Sequence, residues 1–378
     1  MKIKEPLTIV HVIPSLRVGG AETMLSNTLD RNTCNKHVVI CFITMGNIGE
    51  RLQDKGFQIH VLGVKGILSF PGAFIRLIKV IKKYNPDIVQ TWMYHANLIG
   101  GLAARLSGNR NVLWGIRTTD AIGVRSSKAS KFIRRLNAWA SHWLPSKIIC
   151  VAKAARESHI KAGYSSLKML VIPNGFDIER LRIDPTMREN YRISNGVENS
   201  DLVLGSLGRF HAEKDHHTFI RACDILLREY KQLRILLVGR DLDKNNAQLL
   251  EWINATGSAD RFILMGEAAD VVPCLSAMDI FCLHSRNEGF PNVLGEAMAM
   301  GLPCVATNVG DSSVLMGESG FLVDKEDSEA LANSIMGMIE IGKSNRLELG
   351  KKGTSRIKSE YSIDHAVKMF DDLYLSLS

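Results

Sequence analysis

No stretch of this sequence holds about 18 consecutive apolar residues, so no segment reads as a membrane span. There is no Gly-x-Gly-x-x-Gly, which removes the usual fingerprint for a dinucleotide. No cysteine pair has Cys-x-x-Cys spacing. The seven cysteines (Cys34, Cys41, Cys150, Cys223, Cys274, Cys282 and Cys304) are odd in number and mostly sit inside apolar runs. They are expected to be reduced core residues of a cytoplasmic protein rather than a disulfide or zinc framework. Low-complexity tracts and short repeats are absent. Acidic residues are scarce in one half only. Residues 1–177 hold 25 Lys and Arg against 9 Asp and Glu, a net of +16, and residues 178–378 hold 22 against 30, a net of −8. A basic half facing an acidic half points to an anionic partner for the first: nucleic acid, acidic lipid or a phosphorylated substrate.

What is present is an ordinary globular balance, 46% hydrophobic and 23% charged over 378 residues, enough for two domains. The opening "MKIKEPLTIVHVIPSL" carries Glu5 and two prolines and is expected to be a first strand, not a signal peptide. Unbroken apolar strands then alternate with helices: strands at 7–13, 37–44, 57–63, 87–92, 111–117 and 147–152, helices at 72–84, 96–108 and 128–144. That alternation predicts a parallel sheet covered on both faces. At "VIPNGFDIERL" and the polar stretch after it the pattern breaks, as a linker would. It restarts at "LVLGSLGRF" and continues through strands at 233–239, 262–266, 279–285 and 303–310. The expected architecture is α/β: two tandem Rossmann-like, doubly wound domains, 1–177 and 178–361, facing a central cleft. A closing helix, 362–378, is expected to pack back on the first domain. Ligands of such sheets sit off the carboxyl ends of strands, so residues just after strands are the informative ones.

Three stretches meet that condition. "VGGAE" puts Gly19 and Gly20 between the first strand and first helix. There a backbone without Cβ atoms can approach an anion, although a plain tight turn reads as well. "LGRFHAEKD" offers Arg209 and Lys214, a fork and a point charge, to a doubly charged group; the plain alternative is two solvated cations. "SRNEGFPNVLGEAMAMG" has Glu288 on a loop after a strand and Glu296 in the first turns of the following helix. The helix start, Gly289, Phe290, Pro291, Asn292 and Val293, suits phosphate or sugar oxygens.

Taken in order with "PSLRVGGAET" and "PNGFD", these stretches resemble the family 4 retaining glycosyltransferases of the GT-B fold. The subgroup it is most similar to builds bacterial surface polysaccharides. The resemblance covers essentially the whole chain. It implies transfer of a hexose or N-acetylhexosamine from a nucleotide diphosphate sugar, UDP before GDP, to a glycan or lipid-linked acceptor. It implies that Gly19 and Gly20 approach the donor diphosphate, that Arg209 and Lys214 neutralise it, that Glu296 holds the ribose and that Glu288 holds the donor sugar. The amides of 289–292 would contact sugar and phosphate, and His95 would face the reacting centre. One departure is Ala152, where relatives commonly carry Ser or Thr. With no His and Asp ligand cluster in view, no essential metal is expected and no other cofactor. The retained stereochemistry would come from same-face attack by the acceptor hydroxyl.

Two other classes stay open at this point. One is an enzyme of the same fold that epimerises or phosphorolyses. The other is an anionic-polymer binder, for which no recognition helix or aromatic platform is found, so nucleic acid is not an expected partner. The cations Arg117, Arg125, Lys128, Lys131 and Arg135 are expected to face the acceptor or an anionic membrane. On a helical projection of 128–144, Phe132, Ile133, Leu136, Trp139, Ala140 and Trp143 share a face expected to pack on the sheet, with the cations along its edge. That places the enzyme peripherally on the inner face of the cytoplasmic membrane.

Overall fold

The computed structural model describes residues 5–17, 19–119 and 127–378. Arg125 falls outside them. The chain forms two compact units, 1–175 with 363–378, and 176–362.

In the first unit the strands are β1 (Thr8–Ile13), β2 (Lys36–Cys41), β3 (Gln58–Val61), β4 (Ile88–Trp92), β5 (Val112–Ile116), β6 (Lys147–Cys150) and β7 (Met169–Val171). They make one parallel sheet in the order β3-β2-β1-β4-β5-β6-β7. The crossover helices are α1 (Gly20–Arg31), α2 (Gly46–Asp54), α3 (Phe70–Tyr84), α4 (Met93–Leu106), α5 (Lys128–Ala140) and α6 (Lys153–Lys161). Strand order reverses between β1 and β4, so the carboxyl ends of those two flank the switch point where a ligand crevice opens.

The second unit begins with α7 (Pro185–Ser194), inside the polar stretch read from sequence as linker. Asp184 caps it, and Arg192, almost fully buried, bonds Asp279 and the carbonyls of Ala277, Glu198 and Asp201. A stretch with few apolar residues folds because its arginines are satisfied by carbonyls and a carboxylate. The sheet has β8 (Leu202–Leu207), β9 (Leu233–Val238), β10 (Phe262–Leu264), β11 (Ile280–Leu283), β12 (Cys304–Thr307) and β13 (Gly320–Val323), ordered β10-β9-β8-β11-β12-β13. Its helices are α8 (His216–Glu229), α9 (Ala247–Asn254), α10 (Val272–Ala277), α11 (Asn292–Ala299), α12 (Ser312–Met316), α13 (Ser328–Glu340) and α14 (Gly342–Glu360). Here the reversal lies between β8 and β11.

The last helix, α15 (Ile363–Leu375), belongs to the first unit. Ile363, Ala366, Val367, Phe370 and Tyr374 fall on one helical stripe, and all are buried in the first unit's core beside Met24, Leu25 and Trp92. The Tyr374 hydroxyl donates to Gln90 of β4. Six of the seven cysteines are buried and all are free; Cys34 is exposed.

Candidate functional site

The switch point of the second unit brings the loop after β8 and the loop after β11 side by side. Lys214 Nζ lies 2.5 Å from Glu288 Oε1, and Ser285 Oγ donates to the same oxygen at 2.6 Å. Glu288 is mostly buried, with its side chain 12% exposed. The two loops are also tied through their backbones. His284 Nδ1 donates to the carbonyl of Lys214 at 2.5 Å, its Nε2 pairs with the Ser206 hydroxyl at 2.7 Å, and Arg286 N donates to the Glu213 carbonyl at 2.7 Å. His216 Nε2 holds the carbonyl of Arg209 at 3.2 Å. Burial keeps His216 and His284 well below the ordinary histidine range, the former at about 4, so both are neutral at pH 7. Asp215, between Lys214 and α8, sits at φ 54, a left-handed conformation that non-glycine residues seldom adopt. Its side chain caps Thr218 and pairs with Arg286 at 2.8 Å, which holds the strained residue in place.

Two glycines allow the close approach of these loops. A Cβ on Gly310, at φ 56, would stand 2.4 Å from the Glu288 carbonyl oxygen. One on Gly239 would stand 2.2 Å from that of Gly208. Neither position tolerates a side chain.

Arg209 is exposed, and among the described residues its guanidinium has no ion-pair partner. Glu296, in α11, is half-buried and makes no hydrogen bond through its carboxylate among the described residues. Burial pushes it up to about 7, a rise partly offset by Arg180. Arg180 is itself paired with Asp270 at 2.7 Å. A carboxylate removed from water with its acceptor capacity unused suits the paired hydroxyls of a ribose. The helix α11 starts at Asn292, directly after Pro291, and its first turn carries the partial positive charge of a helix N-terminus. The Phe290 ring is buried between Phe176 and Tyr361, 6.0 Å from each, so only its backbone faces outward. Phe176 comes from "PNGFD" and lies against Gly295, where a Cβ would meet the ring at 2.0 Å. That links a motif at the start of this unit to the helix carrying Glu296. Gly289 accepts from Asp311 N and Val293 lies in the first turn of α11.

Sequence reasoning placed Lys214 and Glu288 in one site but gave them separate partners; their mutual ion pair was not foreseen. It also passed over His284, His216 and Ser285, for which the signal was three polar side chains where a strand ends or a helix begins. Sequence reasoning counted no Asp-x-Asp motif, and that is corrected here: Asp241-Leu242-Asp243 is one, and it follows β9. Asp243 caps its own turn by accepting from Asn245 N at 2.7 Å, and Asp241 stands 4.0 Å from Arg240. Among the described residues no three His, Cys, Asp or Glu side chains converge as a metal set would.

In the first unit Gly19 is the extended N-cap of α1, which begins at Gly20. The Glu22 carboxylate folds back so close to Gly19 that a Cβ there would meet it at 2.5 Å. His95, exposed in the first turn of α4, follows Met93 at φ 73, a strained residue at the switch point. Burial, and then Arg134, holds the His95 imidazole below its ordinary range.

The basic group is corrected in part. Arg117 is not a surface cation. Its guanidinium lies 4.9 Å over the Trp92 ring and burial lowers it to about 10. Lys128 and Arg135 are exposed and Lys131 half-buried. The helix face expected to pack on the sheet is largely exposed: Ala140 is buried, whereas Phe132, Trp139 and Trp143 are 60%, 65% and 46% exposed, and the helix packs on α4. Asn137 and Ala138 take the buried positions instead, Asn137 by bonding the carbonyls of Tyr94 and Ile133.

Two family models match the chain. One described as Glycosyltransferase Family 4 covers residues 18–180, and one described as Glycosyl transferases group 1 covers 201–340. The capsular polysaccharide biosynthesis glycosyltransferase CapM of Staphylococcus aureus is 24% identical, over 99% of this chain and 96% of that protein. An Escherichia coli protein named UDP-Gal:alpha-D-GlcNAc-diphosphoundecaprenol alpha-1,3-galactosyltransferase is 26% identical, over 81% of this chain and 79% of that one. Among solved structures, Anabaena HepE in complex with UDP superposes with a TM-score of 0.85 at 22% identity, covering 98% of this chain and 100% of that one. The class is therefore the two-domain GT-B fold. The chain belongs to glycosyltransferase family 4 and is a glycosyltransferase.

Proposed function

We propose that this glycosyltransferase moves a hexose or N-acetylhexosamine from a UDP-sugar, with retention of configuration, to a lipid-linked or glycan acceptor in surface-polysaccharide synthesis. The observation that carries the reading is the meeting of Lys214 with Glu288 at the switch point of the second unit, on the loop that leads into the helix carrying Glu296. Breaking a sugar–phosphate bond leaves negative charge on the diphosphate. Lys214, Arg209 and the N-terminus of α11 are fixed positive groups at one sheet edge that can carry that charge without a metal. Glu296 takes the ribose and Glu288 the donor sugar hydroxyls. Gly19 and Gly20 give the first unit's glycine approach to the diphosphate, and His95 serves the acceptor side. The UDP donor is supported by the UDP and UDP-glucose complexes of HepE, and the lipid-linked acceptor by the name of the Escherichia coli relative.

Attachment to the anionic membrane face through α5 belongs to the same reading. Lys128, Phe132, Arg135 and Trp139 share one exposed stripe, cations interleaved with aromatics, as interfacial helices have. Among the described residues no helix is long and apolar enough to cross a membrane.

The test is incubation with radiolabelled UDP-glucose, UDP-galactose, their N-acetylamino forms and GDP-mannose, using lipid extract as acceptor. Label should move to the lipid fraction from one UDP-sugar. Label returned only as an epimerised nucleotide sugar, or as sugar phosphate, would replace transfer by epimerisation or phosphorolysis.

A further inference from the structure

The first unit contains a cavity of about 580 Å³ at the carboxyl edge of its sheet. Pro14 after β1, Ile43 after β2, Val64 after β3, Phe70 and Leu77 of α3, and Ile133 of α5 line it. Among the described residues every lining side chain is apolar except that of His95. A glycan has no use for such a surface, because each hydroxyl placed there would lose its hydrogen bonds. The volume is that of a small-molecule site.

The rim is apolar too. Ile43 is 54% exposed, Phe70 38%, and Leu68, in the turn between Gly66 and Phe70, 99%. At the His95 end the charge is positive. Arg134 lies over the Tyr94 ring at 4.4 Å and is near enough to His95 to influence it. An apolar hollow with a guanidinium at one end is complementary to an amphiphilic anion.

We propose that this cavity binds the first part of the hydrocarbon chain of a lipid diphosphate acceptor, with the diphosphate toward Arg134 of α5 and His95. The inference rests on the glycosyl-transfer reading and names the acceptor class within it.

The probe is farnesyl diphosphate, titrated calorimetrically into the full-length protein without detergent. Saturating UDP keeps the probe's diphosphate off the second unit. It should bind at least ~30-fold more tightly than inorganic diphosphate, with a negative heat-capacity change. Ile43→Asp and Phe70→Asp, both at exposed rim positions, should each lose about 10-fold of that affinity while UDP affinity and thermal midpoint stay as in wild type. Equal binding of farnesyl and inorganic diphosphate would overturn the proposal, as would unchanged affinity in both variants. Farnesol binding as tightly as farnesyl diphosphate would show a neutral apolar ligand and overturn it as well. Failure of UDP itself to bind would instead strike the donor reading.

Discussion

Lys214 Nζ and Glu288 Oε1 stand 2.5 Å apart, joining the loop after β8 to the loop after β11. Each charge therefore sets the other's availability, and their substitutions should differ in sign. Lys214→Ala should weaken UDP binding by about 10- to 100-fold, as removal of a charge-assisted contact does. Glu288→Gln leaves Lys214 uncompensated, so UDP should bind as tightly as in wild type or more so, while kcat falls at least ~100-fold. Titration calorimetry beside steady-state kinetics separates the two. Parallel loss of UDP affinity in both variants would remove the division of roles.

Glu296 gives a proton signature. Its carboxyl is raised to about 7 by burial, so at pH 6.5 a large fraction is protonated. A ribose diol donating to the carboxylate favours the ionised form, so UDP binding near neutral pH should release protons. Calorimetry in buffers of different ionisation enthalpy reads this directly, and Glu296→Gln should abolish the release and lower affinity about 10-fold. The linkage also fixes a stability effect. A carboxyl raised in the folded state stabilises the fold at low pH, an effect lost as pH rises from 4.5 through about 7. Glu296→Gln should therefore raise the melting temperature at pH 8 and leave it nearly unchanged at pH 4.5.

His284 and His216 hold the carbonyls of Lys214 and Arg209. His284→Phe keeps the stacking on Phe219, whose ring centroid is 4.4 Å away, but removes both hydrogen bonds. It should cost about 10-fold in UDP affinity. His284→Asn, which retains a donor, should recover part of it. Equal affinity in wild type and His284→Phe would make the histidine a packing residue only.

The two parallel sheets were legible because apolar periodicity reports burial directly. The polar stretch holding α7 was not, because it is held by arginine–carbonyl and arginine–aspartate bonds to residues 85 to 88 positions away, which no local pattern encodes. Helix α5 misled for a related reason. Its heptad of aromatics looks like a core face, but the residues it buries are Asn137, Ala138 and Ala140, and it packs on α4. At the site, Lys214 and Glu288 were visible as loop residues after strands. Their pairing was not, since it depends on the strand order that sets β8 beside β11.

A buried histidine pair in the first unit should govern acid sensitivity. His11 Nε2 lies 3.0 Å from His37 Nδ1, and Trp92 Nε1 donates to His11 Nδ1 at 3.3 Å. Burial lowers both imidazoles, His37 to about 4. Groups depressed in the folded state support it above pH 6.5 and withdraw that support as pH falls toward 4. The melting temperature should drop steeply over that window, and His37→Gln should flatten the drop. An identical pH profile in the variant would place the acid-sensitive group elsewhere.

The α5 stripe predicts salt-sensitive membrane binding. Wild type should pellet with phosphatidylglycerol vesicles and not with neutral ones, at about 1 kcal/mol per cation near the surface. Lys128→Glu/Lys131→Glu/Arg135→Glu should remain in solution, and Trp139→Ala/Trp143→Ala should bind more weakly without changing the salt slope. Equal pelleting with neutral vesicles, or an unaltered triple variant, would leave these cations to a soluble phosphorylated acceptor.

The most direct test of the site is proton NMR of the first-formed glycoside from the active UDP-sugar, in excess EDTA, for wild type and Glu288→Gln. The product should keep the anomeric configuration of the donor at an undiminished rate, and the variant should form it at least ~100-fold more slowly with its fold intact. An inverted product, activity that returns only with added magnesium, or a fully active Glu288→Gln would contradict retaining, metal-free transfer at this site.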